Sequence, residues 1–197
     1  MNNSQKAIGF GNSQNITNIV FDENYLQHLL QFTNNPSDVN LVVLTLYDSI
    51  VKSEDIQVSR NPPPEIDIKI SHNNVVTFKD VILTNYSENG YFLEVAYKAL
   101  DSEVPGRKTY FLKYINNLYN QEVGALIKEN SNLSKIEVVR LHSDNIISKL
   151  IIILLSKIAT NNKQVAHLSR ETIELNVVII ICHAFVDCKI LENPKKL

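Results

Sequence analysis

The chain has 197 residues, 44% hydrophobic and 20% charged, with a formal net charge of -2. That length fits one domain with appendages and suffices to bury a core. The near-balanced charge, with Lys and Arg scattered along the chain, argues against DNA, RNA or an anionic membrane as the main partner.

Cys182 and Cys188 form no CxxC pair and read as buried, reduced thiols in a cytoplasmic protein. The start, "MNNSQKAIGFGNSQNIT", has no apolar stretch of the signal-peptide kind. The longest apolar runs, "LIIILL" and "VVIIICHAFV", fall well short of the roughly 20 residues of a membrane span. No membrane association is expected.

Residues 1–20 read as a polar leader. Gly9, Gly11, Asn12 and Asn15 suit turns, and Ile8 and Phe10 are apolar points among them. The leader is either a loose tail or an extended piece that adds to the edge of a partner's sheet. Residues 21–60 are expected to hold a helical pair and a linker. The first helix, "ENYLQHLLQF", is capped by Asp22 or Asn24. The second, "DVNLVVLTLYDSIV", starts at Ser37 or Asp38, with Val39, Val42, Val43, Leu46 and Ile50 as a core stripe. The prolines of "NPPPE" then punctuate an exposed linker over 52–64.

"EIDIKISHNN" fits a strand through Ile66, Ile68 and Ile70, and a helix through Ile66, Lys69 and Ile70; the helix is preferred, since no second strand stands nearby. Three successive helices follow, "VVTFKDVILTNY", "NGYFLEVAYKALDSE" and "PGRKTYFLKYINNLYNQEVGALI", separated at "SEN" with Gly90 and at "SEVPG". Residues 128–143 are polar apart from "IEVVRL", a short strand or covered loop. Ser143 or Asp144 is expected to cap "NIISKLIIILLSKIA", and Ser169 to cap the last helix. The expected fold is mainly α: a helical bundle-like domain over 61–197, preceded by the polar leader and two short helices.

Both final helices are apolar nearly all round, so they must be covered by the core or by a partner. The residues expected to face a partner are Phe185, Cys188, Ile190 and Leu191 at the end of the last helix, with Ile8 and Phe10 in the leader. Motifs for chemistry are missing. "GFGNSQ" is neither a P-loop nor a dinucleotide fingerprint, and the five histidines show no metal-ligand spacing. No nucleophile elbow occurs. Asp67 and Asp80, with Lys69, are the nearest thing to a nuclease set, but solvated helix faces explain such carboxylates better. No cofactor, metal or catalytic residue is expected.

The phrases "PPPEIDIKISHNN", "FKDVI", "YFLEVAYKALDSEVPGRKTYFLKYINNLY" and "AFVDCKILENP", in that order, resemble the helical C-terminal domains of prokaryotic ABC-three-component conflict systems. The similarity covers about residues 61–194. In that family such a domain commonly follows an effector, often a nuclease, and links it to an SMC/Rad50-like ABC ATPase and a small middle component. Residues before 61 are read as only the polar leader and two helices, with no effector domain expected there, so no catalytic residue is carried over. The resemblance implies a non-enzymatic adaptor or assembly subunit of an antiphage or anti-plasmid complex. Its partners would be the ABC ATPase, the middle subunit or a second copy. The rival expectations are a nucleic-acid-associated regulator and a reduced metal-dependent nuclease using Asp67 or Asp80.

Overall fold

The computed structural model describes residues 37–52, 60–158, 165–187 and 189–194; the leader, the helix expected over 23–32, and Ile8, Phe10 and Cys188 lie outside them. Among the described residues there are six helices and no strand: α1 Asp38–Val51, α2 Pro64–His72, α3 Lys79–Glu103, α4 Arg107–Glu129, α5 Lys135–Lys157 and α6 Arg170–Val186. None is long and apolar enough to cross a membrane.

The helix alternative holds for the segment after the prolines. Pro63 is extended, at φ -67° and ψ 149°, and Pro64 takes the first helical position, where its missing N–H leaves nothing unpaired. Glu65 and Asp67 in the first turn and Lys69 and His72 in the last complement the helix dipole.

Gly90 does not divide two helices. α3 runs through it for 25 residues, because the apolar series Ile82, Leu93, Ala96, Tyr97 and Leu100 keeps one face buried on both sides. A glycine inside a helix loses only about 1 kcal/mol relative to alanine, too little to oppose that burial. The break expected at "SEVPG" is present, and Gly106, at φ 84°, makes the reversal into α4.

"IEVVRL" is neither strand nor loop but the first turns of α5. The Glu137 carboxylate accepts hydrogen bonds from the Ser134 backbone N–H (2.8 Å) and hydroxyl (2.6 Å), fixing the helix start. Those two hydrogen bonds hold the Glu137 carboxyl below its ordinary range. Ser143 and Asp144 therefore fall inside α5 and cap nothing in their own helix. Instead the Asp144 carboxylate accepts the backbone N–H groups of Val76 (3.1 Å), Thr77 (3.2 Å) and Phe78 (3.1 Å), and the Ser143 hydroxyl donates to the Asn74 carbonyl (3.0 Å). They pin the α2–α3 connection. Ser169 does cap α6, accepting the Thr172 N–H.

α6 sits at the centre, packed by α1, α3 and α5, while α4 packs on α3 and α5. Nine of its residues, Asn176, Val177 and Ile179 through Phe185, are buried. The apolar run at the end of the chain is the middle of the core. α1 belongs to the same core, with Val42, Val43 and Leu46 fully buried, so the "NPPPE" segment does not separate two structural units.

Candidate functional site

Of the residues expected to face a partner, the three that the structure describes lie elsewhere than on the surface. Phe185 and Ile190 are fully buried and Leu191 nearly so. α6 ends at Val186, and the chain turns back so that Ile190 and Leu191 drop into the core behind it. The backbone N–H of Lys189 bonds the Ala184 carbonyl (2.9 Å), and Leu191 takes the left-handed conformation, φ 58°. For a leucine that conformation costs about 1–2 kcal/mol and persists only where neighbours impose it.

Those neighbours are polar and come from three helices. From α2, the Lys69 ammonium donates to the carbonyls of Phe185 (2.6 Å) and Ile190 (3.0 Å), and stands 4.6 Å over the Phe185 ring. One turn on, the Asn73 amide donates to the Glu192 carbonyl (2.7 Å) and accepts the Glu192 N–H (2.8 Å). From α4, Asn116 donates to the Lys189 carbonyl (2.6 Å) and the Tyr119 hydroxyl to the Glu192 carboxylate (2.7 Å). From α5, Lys135 pairs with that same carboxylate at 2.7 Å. Burial pulls the Glu192 carboxyl up, but the bonds from Lys135 and Tyr119 outweigh it and hold the group below its ordinary range. This clamp is structural. Its Lys69 ammonium also sits where the dipole of α6 is negative.

The second polar concentration is a cleft of about 570 Å³ formed by the last turns of α3 and the first of α4, and lined by Glu94, Tyr97, Lys98, Asp101, Ser102 and Lys108. The α3 residues recur at spacings of three and four and so share one helix face. Glu94 is engaged by Arg60 at 3.1 Å, and Asp101 accepts the backbone N–H of Lys108 at 2.7 Å. The Lys108 ammonium stands 4.9 Å over the Tyr97 ring, which meets the His183 ring edge-on at 5.4 Å. The Tyr97 hydroxyl and His183 Nδ1 are enclosed without a hydrogen-bond partner, each an omission worth about 1–3 kcal/mol. The Asp187 carboxylate stands 3.7 Å from His183 Nδ1, too far for a hydrogen bond. Burial, only partly opposed by Asp187, holds the His183 imidazole below its ordinary pKa, and burial pushes the Tyr97 phenol up. His183 is thus a core histidine, as its apolar surroundings in the sequence imply, but its Nδ1 is unbonded.

Burial also pushes the Cys182 thiol up to about 12, leaving it inert as a nucleophile. Asp67 and Asp80 are exposed on different helices, and no group of three or more His, Cys, Asp or Glu able to hold a metal ion occurs among the described residues.

Sequence reasoning missed both polar sites. For the clamp a signal was present: Ile66, Lys69, Ile70 and Asn73 share one face of α2, so a lysine and an asparagine stand in core positions. For the cleft, the face of α3 was readable, while Lys108 and His183 are brought to it by other helices.

Comparison with protein-family models, with curated proteins and with solved structures finds no match to the chain.

Proposed function

We propose that the chain is a non-catalytic adaptor that works by assembly, as a subunit of a bacterial antiphage or anti-plasmid complex built on an SMC/Rad50-like ABC ATPase. What supports the assembly reading is the outer face of α5. Leu141 and Ile152 are 63% and 59% exposed; eleven residues apart, they lie on one face about 16 Å along the helix. Asp144, one turn from Leu141, holds the loop that carries Val76, itself 69% exposed. The half-buried Ile151, Ile153 and Leu155 flank Ile152. Large aliphatic residues raised out of a well-filled core, with small polar Asn145 and Ser148 between them, have the make-up of anchors in a specific interface. The resemblance supplies the partner's identity, and nothing in the surface itself selects an ABC ATPase over another protein.

The test is affinity capture of the tagged chain expressed with its native gene neighbours, for the parent and for the double variant Leu141→Asp/Ile152→Asp. The reading predicts an ABC ATPase or its middle subunit with the parent, its loss with the variant, and an unchanged melting temperature. Parent protein that returns only itself, and is monomeric by light scattering, sinks the assembly role. An unaltered partner set with the variant sinks the placement on α5.

A further inference from the structure

The outer face of α5 is symmetric about its own midpoint. Leu141, Asn145, Ser148 and Ile152 recur at spacings of four, three and four, the seam spacing by which one helix packs along another. From either end the stripe reads as a large aliphatic residue, two small polar ones and a large aliphatic, centred between the buried Ile146 and Ile147. It carries no charged side chain. Its two flanks differ. Asp144, Ser148, Ile151 and Leu155 share one of them; the exposed Val76 is bonded at its start, and the half-buried Ile151 and Leu155 stand at its end. On the other flank Lys149 and Ser156 are exposed and polar.

We infer that this face pairs with the same face of a second copy, α5 against α5 and antiparallel, making the chain a two-fold dimer. The inference rests on the reading of α5 as the assembly surface and names what covers it. A two-fold axis through the stripe's midpoint brings Leu141 of each copy to Ile152 of the other and sets the Asn145 amide against the Ser148 hydroxyl. Small residues at the crossing let the backbones approach, and the large ones fill the space where crossed helices diverge. The same axis turns like flank to like flank, so Val76, at the level of Asp144, comes between Ser148 and Ile151 of the second copy. A parallel pair would instead set the Lys149 flank against the Val76 flank. An unrelated partner needs only an apolar stripe; an order of sizes matched about one point is a requirement of a surface that meets itself. The ATPase or its middle subunit would then be held by the dimer, and Leu141→Asp/Ile152→Asp would lose it because the dimer is lost.

Sedimentation of the full chain from about 5 µM to about 1 mM, a range that reaches even weak association, tests the dimer. The parent should pass from monomer to dimer. Leu141→Asp/Ile152→Asp, which would bury unpaired charge, should raise the dissociation constant about tenfold or more at an unchanged melting temperature. Disulfide trapping tests the register. Leu141→Cys and Ile152→Cys, made in separate chains and mixed, should cross-link to each other under mild oxidation. Neither should cross-link to itself, since like positions stand about 16 Å apart along the pair. Peptide mapping tells these links from any through Cys182 or Cys188. Self cross-links, or none, overturn the antiparallel register. A dimer that the double Asp variant leaves intact overturns the placement on α5. A parent still monomeric at about 1 mM overturns the inference. If that monomer captures another protein and the double Asp variant loses it, the assembly reading stands with a different occupant; if it captures nothing, both fall.

Discussion

Replacing Lys69 by methionine isolates the clamp's central contact, because the aliphatic stem is kept while the ammonium is removed. The Phe185 and Ile190 carbonyls then lose a donor in a buried setting, where they receive hydrogen bonds of 2.6 and 3.0 Å. A buried acceptor left without a donor costs about 1–3 kcal/mol. Against that, methionine has no charge to desolvate, which offsets part of the loss. A net destabilisation of about 2–4 kcal/mol follows, and for a unit of this size it lowers the melting temperature by about 5–15 °C. Thermal and urea denaturation of the full chain measure it, with Ser71→Ala on the exposed side of α2 as the control. Hydrogen exchange adds a local readout: the Glu192 amide, bonded to Asn73, should lose protection first. A Lys69→Met protein as stable as the parent, or more so, would refute the reasoning. The ammonium would then be a net burden that a well-packed apolar side chain relieves.

Gly90→Ala should stabilise the protein by about 0.5–1 kcal/mol, since nothing lies within 4 Å of the added methyl; a lower melting temperature would mean that α3 needs the glycine. Cys182 should resist alkylation in the folded protein at pH 7 and react once urea unfolds it, as peptide mapping by mass spectrometry would reveal; labelling without unfolding contradicts its burial. His183 has a folded pKa below its ordinary 6.5, so the unfolded chain binds the proton more readily. Its contribution is complete above that pH and is lost as pH falls through the folded pKa. His183→Leu should flatten the stability profile there, and a profile as steep as the parent's contradicts the assignment.

Helix starts were the most legible part of the sequence, because caps and prolines act locally. Pro64 and Ser169 stand where their chemistry places them. The start of α5 was also written out, as Ser134 followed three residues later by Glu137, but the polar outer side of its first turns masked Val138 and Val139 beneath. Gly90 shows the converse error: a local breaker outweighed by an apolar face continuous on both sides of it. The end of the chain was illegible for a different reason. An apolar residue bound for the core and one bound for a partner look alike, and only the reversal at Leu191, held from three other helices, decides that Ile190 and Leu191 go inward. The exposed points of α5 were equally hidden, since Leu141 and Ile152 belong to an apolar series whose other members are buried or half-buried.

The phrases on which the resemblance rests meet in space. "PPPEIDIKISHNN" supplies Lys69 and Asn73, and "AFVDCKILENP" supplies Phe185, Ile190, Leu191 and Glu192, so these two phrases are the halves of the clamp. The phrase from Tyr91 to Tyr119 gives the clamp Asn116 and Tyr119 and contains every residue lining the cleft. α5 lies outside all of them, though it lends Lys135 to Glu192 and bonds Asn74 and Phe78 through Ser143 and Asp144. The clamp demands these residue types to close a chain end onto a core, whatever the domain is for, so likeness there speaks of the fold alone. The outer face of α5 is not bound by that demand: Leu141 and Ile152 can change without disturbing the clamp, so under the assembly role proposed above that face is free to set the partner.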